Sequence, residues 1–173
     1  AKAIPRVWRD DKAGLYIMRN RWEGPEDSVV AFHANTRPHP FLPSFADAGS
    51  FRLLALGGRW AVRRAFDAAD LNSSAREKEN VVVIPGTHGW LGGTVKRARV
   101  QQDGSASITA NLDAIYTVSP PLGKGPRIVN TTDIGIRATR CLAVDYSGKS
   151  GAAMLVVLLD RIENGPPRRW LMH

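Results

Sequence analysis

Apolar residues along this chain recur in short runs that alternate with polar residues, and helical periodicity is nearly absent. Residues 15–19 and 28–33 are two such runs, separated by the turn-rich segment 23–27. Alternation with a period of two puts successive side chains on opposite faces of an extended backbone, which is typical of half-buried β-strands. We therefore predict two strands here, close enough in sequence to pair as a hairpin.

The clearest hairpin signal lies at residues 50–63. A run at 50–56 is followed by Gly57 and Gly58 and then by a second run at 59–63, the pattern of two strands joined by a tight turn. The segments 34–46 and 119–126 are predicted loops, because they are too rich in proline and glycine for central strands. Further strands are predicted at 81–84, 93–101, 105–111, 114–118, 127–129, 134–144 and 152–160, and one short helical turn within 65–78.

The strand pattern determines the expected fold class. About ten to twelve strands are too many for one open sheet, so two packed sheets are expected. We predict an all-β fold, a two-layered antiparallel β-sandwich (supersandwich-like) with little or no helix. No internal repeat or linker divides the chain, so residues 1–173 are expected to form a single domain.

Composition supports an ordinary globular domain, with 43% hydrophobic and 23% charged residues among 173. The longest apolar run, at 152–159, has the length of a strand and not of a membrane span, so no membrane partner is expected. The N-terminus lacks a charged and then apolar signal segment. Cys141 is the single cysteine and cannot form an internal disulfide, so we interpret it as a small buried hydrophobic residue.

The net charge of +8 indicates an anionic partner, since 24 Lys and Arg exceed 16 Asp and Glu. Arginine dominates among the bases, and its planar guanidinium matches carboxylate, sulfate and phosphate groups. An acidic polysaccharide fits this composition. Nucleic acid is not favoured, because there is no lysine-rich block or known nucleic-acid motif. A solvated basic surface without a specific partner remains an alternative.

Residues 45–61 resemble the signature of the heparinase II/III-like polysaccharide lyases, in which an Asp-x-Gly-Ser-Phe element opens a strand that ends in glycine. Here the element is formed by residues 47–51. Three further features resemble the same family in the same order: residues 80–86, then Asp113 with Tyr116, then residues 158–162 running to 170–173. Residues 14–19 with Trp22 resemble the family's entry strand. The resemblance therefore covers most of the chain.

The resemblance implies a domain organisation and a reaction. Lyases of this family pair an N-terminal α/α-toroid domain with a β-sandwich, so this chain is expected to be the sandwich, separated from an upstream α/α-toroid domain of the same protein. The implied reaction is β-elimination on a uronic-acid-containing acidic polysaccharide such as a glycosaminoglycan. A polar group neutralises the carboxylate, a Tyr or His removes the C5 proton, and an acid protonates the departing C4 oxygen. The resemblance also implies a bacterial periplasmic or secreted protein.

The chain departs from the family where metal and catalytic histidines are usual. Many members carry a His-x-His-x-Asp element, and the matching positions here are Pro43, Phe45 and Asp47, so only the Asp is kept. A later metal-binding Asp aligns with about Arg63, and a His before the Asn-Val strand aligns with Glu79. We therefore expect neither the zinc site nor another cofactor. The isolated domain is expected to be an inactive part of a carbon–oxygen lyase.

His39 is the candidate catalytic residue, because a rearranged loop could bring it to the position of the missing histidine. The candidate substrate-binding residues combine cations for an acidic sugar with an aromatic ring that could stack on it: His33, Arg37, Arg63, Arg64, His88 and Trp90. For each, an ordinary structural role remains open: a loop-anchoring or turn histidine, a surface arginine, or a core tryptophan.

Two functions of different kinds therefore stay open. The first is the sandwich half of a lyase that acts on acidic polysaccharide. The second is a non-catalytic carbohydrate-binding or scaffolding domain, which the missing histidines favour. A third, weaker possibility is nucleic-acid binding through the net charge.

Overall fold

The computed structural model describes residues 4–34, 36, 47–63, 75–87, 91–118, 131–165 and 167–173. Within these residues the chain is an all-β, sandwich-like fold without an α-helix, which confirms the predicted fold class. Two 3-10 helices lie at Ala75–Lys78 and Asp113–Ile115. The strands are β1 (Val7–Asp10), β2 (Leu15–Arg19), β3 (Val29–His33), β4 (Ser50–Ala55), β5 (Gly58–Ala61), β6 (Val82–Val83), β7 (Thr94–Val100), β8 (Ala106–Asn111), β9 (Thr117–Val118), β10 (Thr132–Asp133), β11 (Arg137–Asp145), β12 (Leu155–Glu163) and β13 (Arg169–Trp170).

The strands of the described residues form two main antiparallel sheets. The first sheet contains β1 to β5 in chain order, as a meander. The second sheet has the order β12-β11-β8-β7. Two short ribbons accompany them, β9 with β10 and β6 with β13.

The core lies between the inner faces of the two main sheets. Alternate residues of β2, β3 and β4 point inward from the first sheet, and alternate residues of β8 and β11 point inward from the second. Each fully buried large apolar side chain contributes about 1.5–3 kcal/mol to stability. The two sheets share one hydrophobic cluster, whose largest members include Tyr16, Met18, Phe32, Ile108 and Leu142.

Several predicted elements differ in their bounds from the observed ones. The last long strand was predicted at 152–160 and lies at Leu155–Glu163, because residues 147–153 extend the preceding turn. Residues 114–118 contain a 3-10 turn and only the short strand β9. The predicted strand 127–129 lies outside the described residues. Cys141 is half-buried on the outer face of the second sheet instead of being a core residue.

The turn of the β4–β5 hairpin is formed by Leu56 and Gly57, one residue earlier than predicted. Both residues have positive φ, 52° and 70°, which is the requirement of the two-residue type I′ turn. Gly58 is the first residue of β5. The prediction of a tight hairpin is therefore confirmed, but its turn lies one residue earlier in the chain than predicted.

Gly104 lies in the β7–β8 turn, where this turn meets the end of β2 in the other sheet. Its φ is +95°, and a Cβ atom added there would clash with the backbone oxygen of Arg19. We expect Gly104→Ala to lower the free energy of unfolding by about 3 kcal/mol, because the left-handed backbone and the clash with a backbone atom add together. Urea unfolding of the 173-residue chain measures this effect.

Gly148 is the matched control for this substitution. Its φ is +73°, but no atom of the described residues lies within 4 Å of the position that a Cβ atom would take. Gly148→Ala should therefore lower the free energy of unfolding by only about 1 kcal/mol, which is the cost of a left-handed backbone at a residue with a Cβ atom. Equal losses for the two substitutions would contradict the proposed contact between the sheets.

None of the helices in the described part of the chain is long and apolar enough to cross a membrane.

Candidate functional site

Polar side chains gather on the outer face of the first sheet, where β3 ends and β4 begins. His33 is the last residue of β3 and Ser50 is the first residue of β4, and the two are paired across the strands. Directly opposed residues of an antiparallel pair have Cβ atoms about 5 Å apart on the same face. The strand pairing therefore places the His33 imidazole beside the Ser50 hydroxyl.

His33 forms a dyad with Asp47. The imidazole Nδ1 lies 2.9 Å from the Asp47 carboxylate, and the two side chains are 30% and 19% exposed. An ionised carboxylate only accepts hydrogen bonds, so Nδ1 carries the proton of this bond. In a neutral imidazole the other nitrogen, Nε2, is then the proton acceptor. The dyad is thus arranged as an oriented general base.

Glu79 is the centre of the neighbouring charge cluster. Its side chain is 2% exposed and follows the 3-10 helix Ala75–Lys78. The Ser50 hydroxyl donates to Glu79 over 2.9 Å, Arg52 donates over 2.5 Å, and Arg63 Nε lies 2.8 Å from the other carboxylate oxygen. Arg52 also donates to the Ser50 hydroxyl. One buried carboxylate therefore orders two guanidinium groups.

The two guanidinium groups of the cluster stay partly accessible to solvent. Two guanidinium groups share the single Glu79 carboxylate, and the side chains of Arg52 and Arg63 remain 30% and 27% exposed. A guanidinium has five N–H donors, so it can hold one carboxylate while it receives another. The arrangement can therefore receive an anionic group within reach of the His33 dyad.

A frame of buried polar contacts supports the cluster. Asn80 donates to the backbone oxygen of Phe51 over 2.8 Å and accepts from the backbone of His173 over 2.7 Å. Arg76 donates to the oxygens of Ala48 and Val82 at 3.2 and 3.1 Å. Burial lowers the pKa of Arg76, and the adjacent Tyr116 hydroxyl opposes this shift. The segment that carries Glu79 is thus fastened to the start of β4.

Of the predicted site residues, His33 lies on this face and Arg63 contacts Glu79 in the neighbouring charge cluster. The predicted catalytic residue His39 and the predicted binding residues Arg37, Arg64, His88 and Trp90 lie outside the described residues, so their roles stay predictions. Sequence reasoning missed Asp47, Ser50, Arg52 and Glu79 as members of the site. For Ser50 and Arg52 a signal existed in the strand pattern, because polar residues at alternate positions of β4 face away from the core.

Arg63 and Glu79, the residues that the sequence resemblance aligns with metal ligands, do not fit a cation. Arg63 stands where an acidic ligand aligns, and a guanidinium cannot ligate a metal because it has no lone pair to donate. Glu79 is already paired with Arg52 and Arg63. Among the described residues, no three His, Cys, Asp or Glu side chains form a group that could hold a metal ion.

Comparisons with known proteins identify the fold. The chain is similar to a crystal structure of heparinase III, with 17% identity over 92% of this chain and 23% of that chain, and a TM-score of 0.56. A second solved structure, described as a heparinase III gene product, has 13% identity over 84% of this chain and 29% of that one, with a TM-score of 0.45. No protein-family model and no curated protein matches. The chain spans less than a third of either structure and has a heparinase III-like fold.

Proposed function

We propose that this chain is the β-sandwich domain of a lyase that cleaves uronic-acid-containing acidic polysaccharide by β-elimination. The observation that supports the proposal is an oriented imidazole, His33 with Asp47, paired across the strands with Ser50, which donates to the Glu79 carboxylate that Arg52 and Arg63 contact. The fold likeness to heparinase III supports it, since that protein is named for action on heparin. In this proposal an upstream α/α-toroid domain completes the cleft, and the protein is periplasmic or secreted.

The proposed reaction uses the two halves of the site for different tasks. Arg52 and Arg63 bind the uronate carboxylate, which stabilises the negative charge that develops when the C5 proton leaves. His33 Nε2 takes that proton while Asp47 holds the ring. The C4–O bond breaks, a double bond forms between C4 and C5, and the departing oxygen receives a proton. His39 and the toroid domain are the candidate sources of that proton.

A non-catalytic carbohydrate-binding domain is the second candidate. It is favoured by Pro43 and Phe45, which stand where the resembled family has histidines. Such a domain would use the same arginines to bind the polymer, but His33 would have no chemical role. Binding and elimination must therefore be measured separately.

The binding test compares charge removal inside and outside the site. We expect Arg52→Gln and Arg63→Gln each to weaken binding of heparan sulfate and hyaluronan oligosaccharides about tenfold, as each removes a charge-assisted contact. Either variant leaves Glu79 with one guanidinium, which protects folding. Isothermal titration calorimetry measures the affinities.

Arg137→Gln is the control for these variants. Arg137 lies on β11 in the second sheet, is 48% exposed and pairs with Asp133. Its substitution therefore removes one positive charge at a position outside the site. Its affinity for the oligosaccharides should stay within about twofold of wild type, since long-range charge effects are screened. An equal loss for Arg137→Gln, or no binding of any uronate polymer by the wild type, would refute the proposed site.

A further inference from the structure

A groove lies at the end of the second sheet, and none of its lining residues belongs to the His33 dyad or the Glu79 cluster. It has a volume of about 490 Å³ and is bordered by the last part of β12 and by the β6–β13 ribbon. One aromatic ring, two guanidinium groups, one carboxylate and two aliphatic side chains line it: Trp170, Arg161, Arg168, Asp160, Val82 and Ile162. The groove therefore places an exposed aromatic ring beside guanidinium groups.

Trp170 is held in a defined orientation although it is 47% exposed. Its indole N–H donates to the Asp160 carboxylate over 3.2 Å, and its backbone pairs with Val82. Asp160 is itself fixed, because Arg140 donates to both of its oxygens at 2.6 and 2.7 Å. An exposed aromatic ring whose orientation is set in advance can bind a ligand ring at low entropic cost.

The charges around the ring favour an anionic ligand. Arg168 donates one hydrogen bond to the backbone oxygen of Ile162 over 2.9 Å, and its guanidinium is exposed at the rim. The Arg161 side chain is 79% exposed and pairs with Glu163. Asp160 is occupied by Arg140 and Trp170, so the groove presents more positive than negative charge to a ligand.

The chain connects this groove to the candidate functional site. After Trp170, the backbone of Leu171 donates to Val81, and the backbone of His173 donates to the Asn80 side chain. Val62, the neighbour of Arg63, donates to the backbone oxygen of His173. Three extended residues cover about 10 Å, so the path from Trp170 to Val62 is of that order.

We propose that the Trp170 groove is a second subsite for an acidic sugar residue. The apolar face of the pyranose ring stacks on Trp170, and its carboxylate or sulfate group pairs with Arg168 and Arg161. The groove contributes affinity for longer oligosaccharides, whereas the His33 face holds the reacting residue. The identity of the polymer rests on the proposed function, but the stacking and charge arguments do not.

Nuclear magnetic resonance of the 173-residue chain tests the groove directly. The indole N–H signal of Trp170 is assigned from the Trp170→Phe variant, and a heparan sulfate hexasaccharide is titrated. We expect a saturable shift of the Trp170 signal, and a loss of affinity of about tenfold for Trp170→Ala, because the stacking surface is removed. Arg168→Gln provides a variant that keeps the Trp170, Asp160 and Arg140 contacts, and it should weaken binding about threefold to tenfold.

Trp22→Ala is the matched control. Trp22 is 50% exposed and its indole N–H donates to the backbone oxygen of Pro5, but Arg19 covers its ring at 4.1 Å from the centroid. It lies near the β2–β3 turn, at the end of the first sheet opposite to His33. The affinity of Trp22→Ala for the hexasaccharide should remain within about twofold of wild type, because Trp22 does not line the groove and Arg19 occupies one face of its ring.

The outcomes separate this proposal from the proposed function. If the His33 imidazole signals shift on titration and the Trp170 signal does not, the groove subsite is refuted and the His33 site is supported. A shifted Trp170 with silent His33 signals would support the groove and count against the His33 site. If neither the Trp170 signal nor the His33 signals shift, the groove subsite and the His33 site are both refuted. A Trp170 shift of equal size with an uncharged maltohexaose would refute the preference for acidic sugar.

Discussion

Replacing Asp160 with Asn should lower the free energy of unfolding by about 3 kcal/mol, because it leaves the buried Arg140 guanidinium without its counter-charge. The Arg140 side chain is 1% exposed, and Asp160 lies directly opposite it on β12. Arg140 also donates to the backbone oxygens of Gly49 and Asn80 at 2.6 and 2.9 Å, so it joins the second sheet to the start of β4. Urea unfolding of the chain measures the loss.

Asp133→Asn is the surface counterpart of this change. Asp133 also pairs with an arginine, Arg137, but the two side chains are 59% and 48% exposed. Exposed ion pairs contribute about 0–1 kcal/mol, so the loss should be small. The double change Arg140→Met with Asp160→Leu should recover only part of the stability, because the oxygens of Gly49 and Asn80 would lose their donor. A loss of only about 0–1 kcal/mol for Asp160→Asn, as for an exposed ion pair, would contradict this prediction. It would mean that water compensates the charge of Arg140.

The second large effect concerns chemistry. In the native protein that carries residues 1–173, His33→Gln should lower the rate of β-elimination about 100-fold or more, which is the usual contribution of a general base. Asp47→Asn should have a smaller effect of about tenfold, because the imidazole remains but the group that orients its Nδ1 proton is weakened. The ultraviolet absorbance of the unsaturated uronate product measures both rates.

His173→Gln is the control among the described histidines, since His173 Nε2 lies 2.9 Å from the backbone oxygen of Glu77. The β-elimination rate of His173→Gln should stay within about threefold of wild type, because this hydrogen bond supports the structure around the site and takes no part in the reaction. Oligosaccharide affinity should be nearly unchanged in His33→Gln. Elimination at the wild-type rate in His33→Gln would exclude His33 as the base and would return the role to His39. Binding without any elimination, in every variant, would favour the carbohydrate-binding domain.

Much of the fold was predictable because strand formation here is a local property. The alternation in β2, β3, β8 and β11 assigned each side chain to the inner or the outer face, and the structure follows that assignment. The bounds of β12 were less predictable, since the small residues at 147–153 fit a strand start or a turn equally well. The two-residue strand β13 was not predicted as a strand, because two residues show no periodicity.

The site was predictable only in part. His33 and Arg63 were chosen for their chemistry, and the structure places His33 on the outer face of the first sheet and pairs Arg63 with Glu79. The alternation of β11 and β12 also puts Arg140 and Asp160 at core-facing positions, where charged residues are almost never found without a partner. Two opposite charges at such positions are a sequence signal for a buried ion pair, although the pattern does not say which charges meet.

The sequence by itself therefore determined the fold class, the basic charge, most of the longer strands and the face on which each residue of β2, β3, β8 and β11 lies. Only the tertiary structure decided which distant residues meet: His33 with Asp47, Glu79 with Arg52 and Arg63, and Trp170 with Asp160. The physical reason is that a period of two is encoded locally. Strand neighbours and register depend on packing between residues that are far apart in the chain.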